Sequence, residues 1–167
     1  MRKEPSIHSA TVILAVFLCL GMMHKTSYAC AECLCFADNN CAAGECGPNF
    51  TTNCTRTEFT VDCNATYTLY TKVVCGSGNN CFKCMSCATL FSINSGTETY
   101  IADIHNNGCN SGSCVSSDIS VSLSTTKTYV MYVCKVPCPD GASTCENCAA
   151  SCTAYACLYY GVTSCTP

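Results

Sequence analysis

The chain has 167 residues, 21 of them cysteine and none tryptophan, with 8 basic against 11 acidic side chains and a formal net charge of −3. Cysteine at this density belongs to an oxidising compartment, where an even set of thiols closes into a covalent framework. The few Lys and Arg residues are scattered, so the basic stripe of a nucleic-acid binder is missing and no nucleic-acid partner is expected.

Residues 1–29 read as a signal peptide. Arg2 and Lys3 supply a positive start, Thr11 to Leu20 an apolar run, and Ser27-Tyr28-Ala29 the small residues at −3 and −1 of a cleavage site. The run is well short of the ~20 residues that cross a bilayer, and no later segment resembles a stop-transfer sequence. A secreted, extracellular protein without a membrane span is therefore expected. Cleavage after Ala31 also fits the small-x-small rule but leaves nineteen cysteines, whereas cleavage after Ala29 leaves an even twenty. Residues 30–167 then carry five cations, Arg56, Lys72, Lys83, Lys127 and Lys135, against ten acids, for a net charge of −5.

Downstream of the leader, Asn49-Phe-Thr51, Asn53-Cys-Thr55 and Asn64-Ala-Thr66 are N-glycosylation sequons crowded into one stretch. Ala65 to Val74 is rich in Thr, Tyr and Val, residues that pack well on a pleated surface, and reads as a strand. Gly76 to Asn80 reads as a loop, and Cys81 to Phe91 is ambiguous between strand and short helix. Thr89 to Asn94 and Thr97 to Ile104 flank Ser95-Gly96, a hairpin signal. Asn106 to Gly112 is again a loop, Ile119, Val121 and Leu123 alternate with serines, and Thr126 to Val133 repeats the Thr/Tyr/Val composition. In Cys145 to Tyr159, Cys145, Cys148, Cys152 and Tyr155 or Ala156 fall at helical spacing, which leaves room for a short helix there. The expected fold class is small, disulfide-rich and mostly β.

Catalytic constellations are scarce. Once the leader is removed, His105 is the single histidine, and Asp103 two residues before it shares its face on an extended segment. A Ser-His-Asp or Cys-His enzyme would have to be built on that pair. A polar strand end before an Asn-Gly turn accounts for the same residues, and neither enzymatic activity nor a cofactor is expected. Cys81-x2-Cys84-x2-Cys87 with Cys75, and Cys145-x2-Cys148-x3-Cys152 with Cys138, have the spacing at which two sulfurs meet one tetrahedral zinc. That is the metal alternative, and the leader favours disulfides over it. Lys135, in Lys135-Val-Pro between Cys134 and Cys138, is the candidate for the inhibitory loop of a protease inhibitor, since a basic side chain on a braced loop suits a trypsin-like pocket.

Landmarks recur along the chain. Cys41-x4-Cys46 returns as Cys109-x4-Cys114, Thr66-Tyr67-x-x-Tyr70 as Thr128-Tyr129-x-x-Tyr132, and Cys75, Cys81, Cys84, Cys87 as Cys138, Cys145, Cys148, Cys152. An internal duplication is expected, one copy spanning residues 30–98 and the other 99–167. The cysteine-free stretch from Ala88 to Gly108 leaves eleven of the twenty cysteines before it and nine after it. Both counts are odd, so full pairing within one chain requires an odd number of bridges between the halves.

Aromatic-x-Cys triplets occur at Tyr28-Ala-Cys30, Phe82-Lys-Cys84, Tyr132-Val-Cys134 and Tyr155-Ala-Cys157. With the leader, the small size and the cysteine content, they make the chain resemble the small secreted cysteine-rich proteins of plant-pathogenic fungi, the rust-type candidate effectors. That resemblance implies a role outside the producing cell, acting on a host by binding, and it carries over no site residue. The expected function is a secreted, disulfide-stabilised binding protein whose partner is an extracellular or host protein. A protease inhibitor and a zinc-binding module are the alternatives.

Overall fold

The computed structural model of the chain describes residues 30–39, 44, 47–49, 51–75, 84–105, 114, 115, 118–137 and 152–166. Residues 1–29, the expected signal peptide, and Cys41, Cys46, Cys81, Cys109, Cys138, Cys145 and Cys148 lie outside these residues. The described elements are nine strands: β1 Glu32–Asp38, β2 Thr55–Phe59, β3 Ala65–Cys75, β4 Cys84–Asn94, β5 Thr97–His105, β6 Cys114–Val115, β7 Ile119–Leu123, β8 Thr128–Pro137 and β9 Cys152–Tyr160. Among the described residues no helix is long and apolar enough to cross a membrane.

The strands form two antiparallel sheets. One runs β1-β9-β3, with β6 and β7 both pairing with the far side of β3, and the other runs β2-β8-β4-β5. Their inner faces share one core, in which Phe36, Tyr67, Leu69, Ala156 and Leu158 of the first sheet meet Ala88, Leu90, Ile104, Tyr129, Met131 and Val133 of the second. Two carboxylates pin the ends of β1. Glu32 accepts from the Asp62 backbone N–H at 3.0 Å and from the Tyr67 hydroxyl, while the fully buried Asp38 accepts from Thr55 Oγ1 at 2.7 Å and from the Lys135 backbone N–H at 3.2 Å. Asp38 thus ties β1 to β2 and β8 of the opposite sheet.

Where they are described, the two segments with helical spacing are strands. Within Cys81 to Phe91 the chain enters β4, and within Cys145 to Tyr159 it enters β9. In β9, Ala154, Ala156 and Leu158 are fully buried in the core while Thr153, Tyr155 and Tyr159 on the other face are partly exposed, and Cys157 on that face is buried in a separate cluster with Tyr70 and Cys165. That period-two pattern, fixed by pairing with β1 on one side and β3 on the other, overrides the three- and four-residue spacing of the cysteines. The Ser95-Gly96 hairpin forms as expected. Both residues take positive φ, 51° and 80°, the left-handed pair that a tight β-turn with the right twist demands.

The sheets repeat one another in register. Phe59 of β2 faces Tyr129 of β8, and Val121 of β7 faces Tyr67 of β3, so a shift of about 62 positions carries one pair onto the other. Likewise Leu90 of β4 lies between Met131 and Ala102, and Leu158 of β9 lies between Leu69 and Leu34, which relates β1 to β5 and β4 to β9 by about 68 positions. Cys152 therefore corresponds to Cys84, whereas the cysteine spacing alone matches it to Cys87. Strands from the two halves of the chain alternate within each sheet: β3 is flanked by β7 and β9, and β8 by β2 and β4.

Disulfides reinforce that interleaving. Cys30–Cys63 closes a loop in the first half, whereas Cys33–Cys165, Cys35–Cys157 and Cys54–Cys134 each join residues before 88 to residues after 108. Cys87 is also disulfide-bonded. A bridge typically adds about 2–4 kcal/mol by restricting the unfolded chain, less when neighbouring bridges already restrict the same segment.

Candidate functional site

The outward face of the β2-β8-β4-β5 sheet is covered at one end and open at the other. At the covered end Gly44 donates to the Lys135 carbonyl at 2.8 Å and Gly47 to Thr89 Oγ1 at 3.1 Å. A Cβ built on Gly44 would stand 2.8 Å from Cys134 Cβ, so a residue without a side chain lets the backbone cross the Cys54–Cys134 bridge this closely. Thr89 and Cys134 are fully buried beneath this crossing.

At the open end, three aromatic rings and a set of charges come together from all four strands. Phe91 of β4 stacks edge-to-face with Tyr100 of β5 at 6.0 Å and with Tyr132 of β8 at 5.6 Å. Arg56 of β2 donates through Nε and Nη2 to Glu98 Oε1 at 3.0 and 2.8 Å, and its Nη2 lies 2.7 Å from Glu58 Oε1. Tyr132 donates to Glu98 Oε2 at 3.0 Å and lies 3.2 Å from Arg56 Nε. Further along β5 the Tyr100 hydroxyl donates to Asp103 Oδ1, and His105 Nε2 lies 3.0 Å from Asp103 Oδ2. Tyr100 is 40% exposed, one of the most exposed large apolar side chains of the described fold.

This placement depends on one irregularity. The β4–β5 register shifts between Leu90 and Phe91, so Leu90 faces Ala102 while Phe91 faces Tyr100, and Ile101 is the extra residue of a bulge. Without the bulge, Glu98 and Tyr100 would share a face with Ala102 and the buried Ile104. With it they join Asp103 and His105 on the outward face.

Hydrogen bonding and burial set the protonation of the groups. The hydrogen bonds to Glu58 and Glu98 hold the Arg56 guanidinium even more firmly charged than usual. Burial and the bond to Glu98 push the Tyr132 hydroxyl up, and the bond to Asp103, with burial, pushes the Tyr100 hydroxyl up. At neutral pH both phenols are donors. The single guanidinium is already shared between Glu58 and Glu98, so carboxylate is in excess on the face that carries the exposed Tyr100 ring.

The residues singled out by the sequence are dispersed. Asp103 and His105 do share a face at the edge of this site, and among the described residues Asp103 is the one side-chain partner found for His105. Lys135 lies inside β8 and is 1% exposed, because alternation turns it inward and pairing with β4 continues through Pro137. It is not on a convex loop, which a protease-binding segment would need. Of the cysteines weighed as zinc ligands, Cys87 is held in a disulfide and offers no thiolate, Cys75, Cys84 and Cys152 lie in strands β3, β4 and β9, and Cys81, Cys138, Cys145 and Cys148 fall outside the described residues. Asn49, Asn53 and Asn64 are all exposed, and Asn64 Oδ1 accepts from the Thr125 backbone N–H at 2.9 Å.

Arg56, Glu58, Phe91, Glu98 and Tyr100 were not indicated as a group by the sequence. Arg56 and Tyr132 are 76 positions apart and Arg56 and Glu98 are 42 apart, and no local spacing brings them together. A second aromatic pair, Tyr70 and Tyr159 at 6.1 Å, occupies the equivalent place on the other sheet, beside a cavity of about 260 Å³ lined also by Asp118 and by Thr163, Ser164, Cys165 and Thr166.

No family model matches the chain, and no curated protein matches it. Among solved structures it is similar to the crystal structure of GEBA250068378 from Sulfurospirillum deleyianum, at 10% sequence identity and a TM-score of 0.45, over 78% of this chain and 99% of that one. A similarity at that level carries no inference about either fold or function.

Proposed function

We propose that this chain is a secreted, disulfide-braced β-sandwich that acts by binding, and that the open end of the β2-β8-β4-β5 sheet docks a lysine- or arginine-bearing segment of an extracellular, host-side protein. The observation that supports it is the half-exposed Tyr100 ring, hydrogen-bonded to Asp103, on the same sheet face on which Glu58 and Glu98 share Arg56. An ammonium or guanidinium laid on that ring gains a cation–π contact of about 0.5–2 kcal/mol, and the carboxylates supply its hydrogen-bond acceptors. Because the rings and carboxylates already hold one another in place, little side-chain entropy is lost on docking. The net charge of −5 on residues 30–167 works in the same direction by steering cationic partners toward the protein.

The test is binding of immobilised protein to a panel of synthetic lysine-containing peptides, each compared with its lysine-to-glutamine counterpart at several salt concentrations. Tyr100→Ala and Glu58→Gln are expected to weaken the lysine peptides by about 5- to 10-fold each, with affinity falling as salt rises. Equal binding of lysine and glutamine peptides would overturn the reading. So would a measured substrate turnover that disappears in folded His105→Ala protein, since that would make the Asp103–His105 pair an enzyme's.

A further inference from the structure

On the outward face of the other sheet, two disulfides lie against each other. Cys35 and Cys157 are directly opposite across the β1–β9 pair, and Cys33, on the same face of β1, is bridged to Cys165 in the tail that follows β9. Cys35 Sγ and Cys165 Sγ belong to different bridges yet stand 3.6 Å apart, and the sulfurs of Cys33, Cys35 and Cys165 all lie within 4.8 Å of one another. Access is graded. Cys33 is exposed and Cys35 intermediate, whereas Cys165 is 3% exposed and Cys157 fully buried.

We propose that Cys33, Cys35, Cys157 and Cys165 form a thiol–disulfide exchange site, at which a small-molecule thiol converts the bridges Cys33–Cys165 and Cys35–Cys157 into Cys35–Cys165 and Cys33–Cys157. The incoming thiolate reaches the exposed Cys33 sulfur and bonds to it, the Cys33–Cys165 bond breaks, and its electron pair leaves on Cys165. The Cys165 thiolate is in van der Waals contact with Cys35, to which it bonds as the Cys35–Cys157 bond breaks and the pair passes to Cys157. Cys157 then bonds to Cys33 and expels the small thiolate, so nothing is oxidised or reduced overall and the thiol is regenerated. Cys33 is two residues from Cys35 and faces Tyr159, two residues from Cys157, which keeps that last pair on one face of adjacent strands.

The exchange has a mechanical consequence. Cys165 carries the tail wall of the cavity beside Tyr70, Tyr159 and Asp118, and the Tyr70 hydroxyl donates to the Cys165 carbonyl. Moving its anchor from Cys33 to Cys35 re-shapes that wall while both sheets stay paired. The site is independent of the docking face, which lies on the other sheet.

The experiment treats oxidised protein with a limiting amount of reduced glutathione at mildly alkaline pH, quenches aliquots with N-ethylmaleimide, and maps bridges by mass spectrometry without reduction, with fragmentation between Cys33 and Cys35. A Cys35–Cys165 linkage is expected to appear while Cys30–Cys63 persists. A time course showing native bridges and alkylated single cysteines, but never Cys35–Cys165, would overturn the proposal. Cys157→Ser provides a second reading, because it frees the Cys35 thiol beside an intact Cys33–Cys165 bridge. That variant is expected to hold a mixture of Cys33–Cys165 and Cys35–Cys165 with no thiol added, and Cys33–Cys165 alone would count against the exchange. If the variant does not fold, the glutathione time course on the unaltered protein decides.

Discussion

Leu90 and Leu158 occupy equivalent places in the two sheets, and truncating each to alanine tests whether the sheets contribute equally to one core. Both side chains are 0% exposed and belong to the same cluster, each on a strand paired on both sides. Burial of a leucine side chain is worth about 1.5–3 kcal/mol by transfer alone, and the cavity left by Leu→Ala raises the cost to about 2–5 kcal/mol. Here the lining strands are cross-linked by Cys35–Cys157 and Cys54–Cys134, which hinders collapse onto the void, so about 3–4 kcal/mol is expected at each position. With a guanidinium dependence of about 2–3 kcal/mol per molar for a disulfide-restricted chain of this size, either substitution should lower the unfolding midpoint of oxidised protein by about 1–2 M. Matched shifts at unchanged slope are the expected result. If Leu158→Ala cost about 3 kcal/mol while Leu90→Ala cost under about 1 kcal/mol, the packing argument would fail, since one sheet would be loosely laid on a core made by the other.

Two further outcomes are expected. A protease site placed at the Ser95-Gly96 turn should be cut without releasing the halves, because Cys33–Cys165, Cys35–Cys157 and Cys54–Cys134 span the cut; two fragments appearing before reductant is added would contradict the pairing. Stability should also decline in alkali through Tyr67, whose pKa burial and its hydrogen bond to Glu32 raise above the ordinary 10.0. A raised folded-state pKa means that the contribution is fully present below the unfolded value and is lost as pH climbs through the folded one. Tyr67→Phe should flatten the fall of the guanidinium midpoint above pH ~10, and an unchanged alkaline limb would refute it.

Local chemistry made part of this protein legible in its sequence. Thr, Tyr and Val between turn residues determine strands at β3 and β8, and Ser95-Gly96 determines the hairpin because few residue pairs tolerate positive φ twice in succession. With every cysteine paired within the chain, the odd counts on either side of Ala88 to Gly108 require a covalent link between the halves, and among the described residues three such links are present. Pairing partners decided the rest. Cys152 to Tyr160 is a strand because β1 and β3 satisfy its backbone on both edges, and Lys135 is buried because β4 extends the ladder past it. The docking face needs a bulge at Ile101 to turn Tyr100 outward and needs Arg56, Tyr132 and Glu98 brought from three strands. Likewise the sulfur cluster exists only because β9 lays Cys157 against Cys35 and returns the tail with Cys165 to Cys33. Strand periodicity tells which residues share a face, but which strands become neighbours is set by long-range burial, and no spacing along the chain encodes it.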